Sequence, residues 1–428
     1  MWSKLRNILR WSTLVAMGLV IIFVGRDSYV LNPAQRAATP YTYDLVAWEA
    51  TNFLSKWVHK LGDALPWNRL SDDDRLRQVD EYFALGDEVA DVQTGLDRAA
   101  ANGESSASEV VHLENELDRI GSRREGLRKD VEETIESMIS SVVSEDGLGS
   151  FGELLFPPVD IRLSSPPKLL VTSQRDRIDR THDVLLEPDI SLQEREELET
   201  DLLRDSNLSA LVVRIGGVAT YPASLPNDRP LQSTLQTAAH EWLHHYFFFK
   251  PLGQHMFTSD EMQTLNETAA EIAGREIGDR VFQKLRGNVE VDQQSSQLVA
   301  EDEAGFQFDF EMRETRSRVD ELLAQGRVED AESYMEERRL LFVENGIFIR
   351  KLNQAYFAFH GTYAESPTSV SPIGDQLHSF RNAMPNLGTF IREVSQVSNY
   401  DEFLKRLTEI EPGQVTPEEG WDTIKRIE

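Results

Sequence analysis

The residues best suited to chemistry lie in Thr237-Ala238-Ala239-His240-Glu241-Trp242-Leu243-His244-His245-Tyr246, which contains the pattern H-E-x-x-H. In an α-helix, residues four apart share a face, so His240 and His244 can aim imidazole nitrogens at one metal ion. Glu241 comes one position round, beside that metal rather than bonded to it. From there its carboxylate can take a proton from a metal-activated water attacking a carbonyl, then pass it to the leaving amine. Small uncharged residues lead into this segment, and no proline interrupts it. His245 follows a quarter-turn from His244 and reads as an outward-facing neighbour.

A tetrahedral catalytic zinc needs a third protein ligand and an open position. Asn266-Glu267-Thr268-Ala269-Ala270-Glu271 begins twenty-two residues after His244 and offers two carboxylates one helical turn apart. Pro251, Gly253 and Thr258-Ser259-Asp260 let the chain turn back between the two segments. Glu267 is the expected third ligand, and Glu271 the expected acceptor for a ligating imidazole, which fixes its tautomer. The swapped assignment stays open. The chain has no cysteine, so thiolate zinc sites and disulfides are excluded and any zinc must rest on His and carboxylates. Something must also stabilise the oxyanion, and His255, Tyr356, His360 and Tyr363 are the candidates.

H-E-x-x-H followed by N-E-x-x-x-(D/E) resembles the gluzincin pattern of thermolysin-like zinc metallopeptidases. The resemblance implies His240, His244 and Glu267 on zinc, Glu241 as base, and a zincin-like catalytic domain. Two departures stand out: the gap to the third ligand is a few residues longer, and Glu271 replaces an Asp. Over residues 233–408 the chain is also similar to a bacterial family described as predicted aminopeptidases. Those chains carry H-E-x-x-H, an N-E-(S/T)-x-A helix and L-N-N-A followed by a tyrosine. Leu352-Asn353-Gln354-Ala355 and Tyr363 stand in the last positions here.

The elements that must position these residues are read from periodicity. A helix is expected from about Leu231 through the H-E-x-x-H segment, with mostly helical chain after it. Upstream, Pro157-Pro158 and Pro166-Pro167 punctuate β-prone runs at Lys168 to Thr172, Val184 to Ile190 and Leu211 to Tyr221, a small sheet. The last run precedes the active-site helix, where an edge strand could bind extended substrate. Apolar residues spaced three and four apart from Leu76 to Leu96 and from Val110 to Val142 predict an antiparallel helical hairpin of coiled-coil character, turning at Asn102-Gly103-Glu104-Ser105-Ser106. That hairpin, over 76–145, suits a docking arm, a self-association surface or a plain structural element. Helical spacing also runs from Tyr41 to about Leu65.

Lys4, Arg6 and Arg10 precede an apolar run from Trp11 to Gly25, and no small-x-small cleavage site follows. This reads as an uncleaved signal anchor, with a removed signal peptide as the alternative, N-terminus in the cytoplasm and the bulk outside. With 73 Asp+Glu against 44 Lys+Arg the formal charge is −29, which argues against nucleic acid as a partner. The expectation is therefore a predominantly helical α+β chain: residues 1–31 as cytoplasmic tip and anchor, 32–150 as helical linker and hairpin, and 151–428 as a metallopeptidase domain acting on peptides. The rival reading is a non-enzymatic membrane-tethered interaction protein with a structural or degenerate zinc site. Hydrolysis of a non-peptide amide is a third.

Overall fold

The structure, a computed structural model, describes residues 30–49, 51–52, 71–102, 107–149, 155–286 and 306–410. The expected anchor falls almost wholly outside them. Among the described residues no helix is long and apolar enough to cross a membrane. The expected Tyr41–Leu65 helix is described only as far as residue 52, where 45–49 and 51–52 are helical.

A short helix α1 (Pro33–Ala38) and a 3₁₀ turn precede the hairpin of α2 (Asp72–Asn102) and α3 (Ala107–Glu145). Residues 103–106, where the turn was expected, lie outside the described chain. The sheets come next: β1 (Ile161–Ser164), β2 (Lys168–Gln174), β3 (Arg180–Leu186), then α4 (Leu192–Ser206), β4 (Leu208–Arg214) and β5 (Ala223–Pro226). Two helices carry the motifs, α5 (Leu231–Phe248) and, after the single turn α6 (Pro251–Gln254), α7 (Asp260–Arg286). Among the described residues six further helices follow: α8 (Phe308–Ala324), α9 (Val328–Glu344), α10 (Gln354–His360), α11 (Ile373–Asn382), α12 (Leu387–Ser395) and α13 (Tyr400–Ile410). The described chain is thus predominantly helical α+β.

The β-strands form two sheets rather than one. An antiparallel sheet has the order β3-β2-β4, and β1 pairs in parallel with β5. Alternation along β2 explains the first sheet's place. Leu170 faces α1 and α4 with Val184, Leu186, Ala210 and Val212, while Leu169 and Val171 face Phe359 of α10. Strand β3 ends before Pro188, which has no N–H for the ladder. Strand β4 stops at Arg214, and Gly216-Gly217 carry the chain away, so the expected strand to Tyr221 is instead an irregular segment. Only the bridge Val218–Ser224 keeps a trace of pairing there.

One core joins the hairpin to the motif helices. It gathers Val79, Tyr82, Val131, Ile135 and Val142 with Leu235, Trp242, Phe247, Leu265, Ile277 and, from the last helices, Phe390 and Phe403. Residues on both sides of the expected boundary at 150 thus share one hydrophobic core. Charged residues of α3 reinforce the join. Glu136 accepts the Ile161 amide at 2.9 Å, and Glu132 accepts both the Leu163 amide at 2.8 Å and Arg128 at 2.7 Å. Arg124 lies on the Tyr82 ring, 4.3 Å from its centroid, and donates to the Asn227 carbonyl. These buried charges are satisfied by one another and by strand amides, which is the condition for burying them.

Candidate metal centre

Helices α5 and α7 cross at glycine. A Cβ on Gly274 would meet the His240 backbone nitrogen at 2.8 Å, and one on Gly278 would meet Gln236 Cα at 2.5 Å. The two glycines are four residues apart, one above the other on α7, so the helix axes approach where any side chain would hold them apart. Trp242 anchors the underside of α5, donating from its indole to the Pro157 carbonyl at 2.9 Å. The close crossing brings the His240–His244 face of α5 against the Glu267–Glu271 face of α7.

The result is a compact donor set. His240 Nε2 and His244 Nε2 stand 3.0 Å apart, and Glu267 Oε2 lies 3.6 Å from the first and 3.5 Å from the second. Donors about 2.0–2.1 Å from a tetrahedral zinc would be about 3.3–3.4 Å from one another. The observed triangle departs from that by only a few tenths of an ångström, so the residues fit a metal ion. Among the described residues this is also the one His/Asp/Glu group with metal-holding geometry.

The surroundings set the tautomers. Asn266 donates its amide to the Leu252 carbonyl at 3.4 Å, which turns Oδ1 toward His244 Nδ1 at 3.0 Å. His244 Nδ1 must then carry the proton, leaving the Nε2 lone pair pointed at the donor set. Glu271 Oε2 lies 3.4 Å from His240 Nδ1, on the side away from Glu267. Glu267 is thus the carboxylate facing both Nε2 atoms, and Glu271 the one behind His240. The charge balance agrees. Burial raises the Glu267 carboxyl, but His244 and His240 outweigh it and hold it far below the usual range. Glu271, only partly buried, is held at about 2 by His240 and Arg275. Burial pulls the His240 imidazolium down, yet Glu267 and Glu271 lift it well above the ordinary value. The site demands positive charge.

Glu241 is buried beside the donor set, and burial raises its carboxyl against the pull of His240 and His244. The Gly216-Gly217 segment lies directly against it: a Cβ on Gly217 would sit 2.4 Å from Glu241 Oε1. Of the four oxyanion candidates only Tyr363 lines the pockets at the donor set. The charge of Glu267, then burial, pushes its phenol well above the ordinary value, so it stays an O–H donor. His255 donates from Nδ1 to the Pro251 carbonyl at 2.9 Å, and the Tyr356 and His360 rings lie tilted against each other, centroids 4.4 Å apart; none of the three lines those pockets. Asn353 caps α10 and donates to the Ala210 carbonyl.

Three residues escaped the sequence. Asn266 stood inside the motif, but only the fold shows its bond to His244. Arg180, at the start of β3, lines the cleft with Tyr363 while bound to Asp183 at 2.6 Å and to Thr362 at 3.3 Å. His245 does not face outward. Its Nε2 lies 2.8 Å from the Thr220 carbonyl and its ring meets Tyr221.

Two cavities meet at the donor set. One, about 490 Å³, is lined by Arg180, Arg214, Arg229, Arg275, Glu271 and Gln236. The other, about 860 Å³, is lined by Phe156, Val218, Tyr221, Phe248, Phe249 and Phe257. Both share His240, Glu241, Glu267, Gly217 and Tyr363. No protein-family model, curated protein or solved structure matches the chain.

Proposed function

We propose that the chain is a zinc-dependent hydrolase of peptide bonds with a zincin-like catalytic unit of the gluzincin type. The observation that carries this reading is the convergence of His240 Nε2, His244 Nε2 and Glu267 Oε2, with the buried Glu241 carboxylate beside them at the junction of two cavities. Two imidazoles and one carboxylate, without thiolate, are a donor set that suits zinc and leaves a coordination position open. A zinc ion held there would supply Lewis acidity toward a carbonyl and lower the pKa of water.

The chain's own groups do the rest. Glu241, its carboxyl raised by burial, takes a proton from the attacking water and returns it to the departing nitrogen. Tyr363 O–H, with the Arg180 guanidinium behind it, faces the developing oxyanion. Asn266 holds His244 in the ligating tautomer, and Glu271 sets its negative charge 3.4 Å from His240 Nδ1. We further propose that the apolar run Trp11–Gly25 anchors the chain, with the catalytic unit outside the cytoplasm.

Zinc content of the full chain by mass spectrometry, measured beside Glu241→Gln and His244→Ala, tests the proposal. About one zinc per chain is expected in the parent and in Glu241→Gln, and a clear loss in His244→Ala. Peptide hydrolysis should vanish in Glu241→Gln. No zinc after reconstitution of a folded chain, or full activity in Glu241→Gln, would overturn the mechanism and leave a tethered interaction protein.

A further inference from the structure

The two cavities that meet at Glu241 differ in chemistry, and the difference points to what they hold. The protein carries a formal charge of −29, yet the smaller cavity is walled by four arginines. Three are committed. Arg180 binds Asp183, Arg214 binds Asp228, and Arg275 binds Glu271 at 2.9 Å and Glu365 at 3.0 Å. Arg229 has no hydrogen bond or ion pair with any described residue.

Arg229 is also well placed. Its guanidinium lies over Gly216, where an added Cβ would sit 3.8 Å from Nη1 and 3.9 Å from Nη2. The next residue, Gly217, is the one pressed against the Glu241 carboxylate. Base and free guanidinium therefore share one wall, within the span of a short extended peptide segment. Beyond Arg229 the wall continues into a depression of about 560 Å³ that Lys168, Arg214 and Arg229 line, with Asp228 as its only acid. Lys168 feels that surplus of positive charge: burial, then Arg195 and Arg214, push its ammonium down.

On the other side of the base the larger cavity is aromatic at its mouth. Phe248, Phe249 and Phe257 are 69%, 50% and 83% exposed, and Phe156, 47% exposed, packs on Phe249 with ring centroids 5.1 Å apart. Four exposed aromatic rings together are uncommon on a soluble surface unless something apolar covers them.

We infer that the cleft takes a peptide bearing a carboxylate on one side of the reacting bond and a bulky apolar side chain on the other, with Arg229 as the carboxylate's partner. The inference rests on the hydrolase reading above. A guanidinium pairs with a carboxylate through two parallel N–H donors, and Arg229 is the cavity arginine whose donors meet no described residue. The carboxylate is either the peptide's own C-terminus or an acidic side chain.

The test uses the full chain carrying Glu241→Gln, loaded with zinc, and three dansylated peptides. These are dansyl-Leu-Phe-Gly-Ala as the free acid, the same peptide as its C-terminal amide, and that amide with glutamate in place of alanine. Fluorescence titration reads each Kd. Binding of a charged peptide about tenfold tighter than the neutral amide is expected. A gain for the free acid alone assigns the C-terminal carboxylate, and one for the glutamate amide alone assigns an acidic side chain. Arg229→Gln should bring the three Kd values within about twofold of one another, whereas Arg229→Lys should keep part of the preference. Equal Kd values in the parent, a preference that survives Arg229→Gln, or no binding of any peptide would overturn the inference. Carboxylate preference without peptide hydrolysis by the wild-type chain would sink the peptidase reading and leave the anion site standing.

Discussion

Replacing Gly274 by alanine should loosen the candidate metal centre without changing any side chain of the donor set. The added methyl group would lie 2.8 Å from the His240 backbone nitrogen, 2.9 Å from its Cα and 3.0 Å from its Cβ. None of these atoms can swing aside, because all belong to or hang directly from the α5 backbone. Comfortable contact begins near 3.5 Å, so the crossing must open by roughly 0.5 Å. Metal–ligand distances tolerate about 0.2 Å, so His240 on one helix and Glu267 on the other separate by more than a zinc can follow. Overpacking of this kind costs about 1–3 kcal/mol. Alanine's better helix propensity offsets about 0.5–1 kcal/mol. The net loss should be at most about 2.5 kcal/mol, with zinc affinity lower by about 10–100-fold. Gly121→Ala is the control. It lies in α3 with no heavy atom within 4 Å of the added methyl, so it should stabilise by about 0.5–1 kcal/mol and leave zinc affinity unchanged. Urea unfolding of the zinc-free chain and competition with a chromogenic chelator read the two quantities. Gly274→Ala with parental stability and parental zinc affinity would refute the claim that this glycine sets the geometry.

Asn266→Leu, close in volume, removes the acceptor that fixes His244, and chelator competition should show about 10–100-fold weaker zinc; unchanged affinity would dismiss the orienting role. Gly217→Ala drives a methyl group to 2.4 Å from Glu241 Oε1, so kcat should fall by about 100-fold while zinc content stays at parental level. Equal loss of zinc and rate would instead mean that the whole site had collapsed. Burial pushes His360 down to about 4, below its unfolded value, so the unfolded chain takes up the proton first. The stability that neutral His360 permits is complete above about pH 6.5 and shrinks as pH falls toward 4, by at most about 3 kcal/mol before allowing for partial exposure. His360→Leu should flatten that part of the profile in thermal unfolding between pH 4 and 7, and an identical profile would exclude His360 as its source.

Much of the donor set was legible because it is local. His240, Glu241 and His244 need only helical spacing, and Glu267 and Glu271 need one more helix facing back. That Glu267 rather than Glu271 faces the two Nε2 atoms was an expectation with the swapped choice open, since both lie on one helix face and the choice depends on how α7 rotates against α5. That rotation is set by Gly274 and Gly278, whose meaning lies entirely in what approaches them. Arg180, Tyr363 and Arg229 come from a strand, a turn and a loop far apart in sequence, so no spacing unites them. The hairpin was legible as two helices, because its apolar stripe has helical period. Its fusion to the body was hidden in Arg124, Arg128, Glu132 and Glu136, charged residues that look like a solvated face until their partners are known. The strand expected to reach Tyr221 failed at Gly216-Gly217, where freedom from a side chain serves Glu241 rather than a ladder.

The fused hairpin has a mechanical meaning. At 1.5 Å per residue, the 39 residues of α3 make a rod about 58 Å long. Its C-terminal half is built into the core, and Glu132 and Glu136 grip β1, three residues beyond the Pro158 wall of the aromatic cavity. From Val110 to Arg119 the rod is mostly uncovered. A rod clamped at one end fixes both reach and heading. Whatever held the tip would hold the cleft several nanometres away and facing one way, as a tether of flexible chain could not.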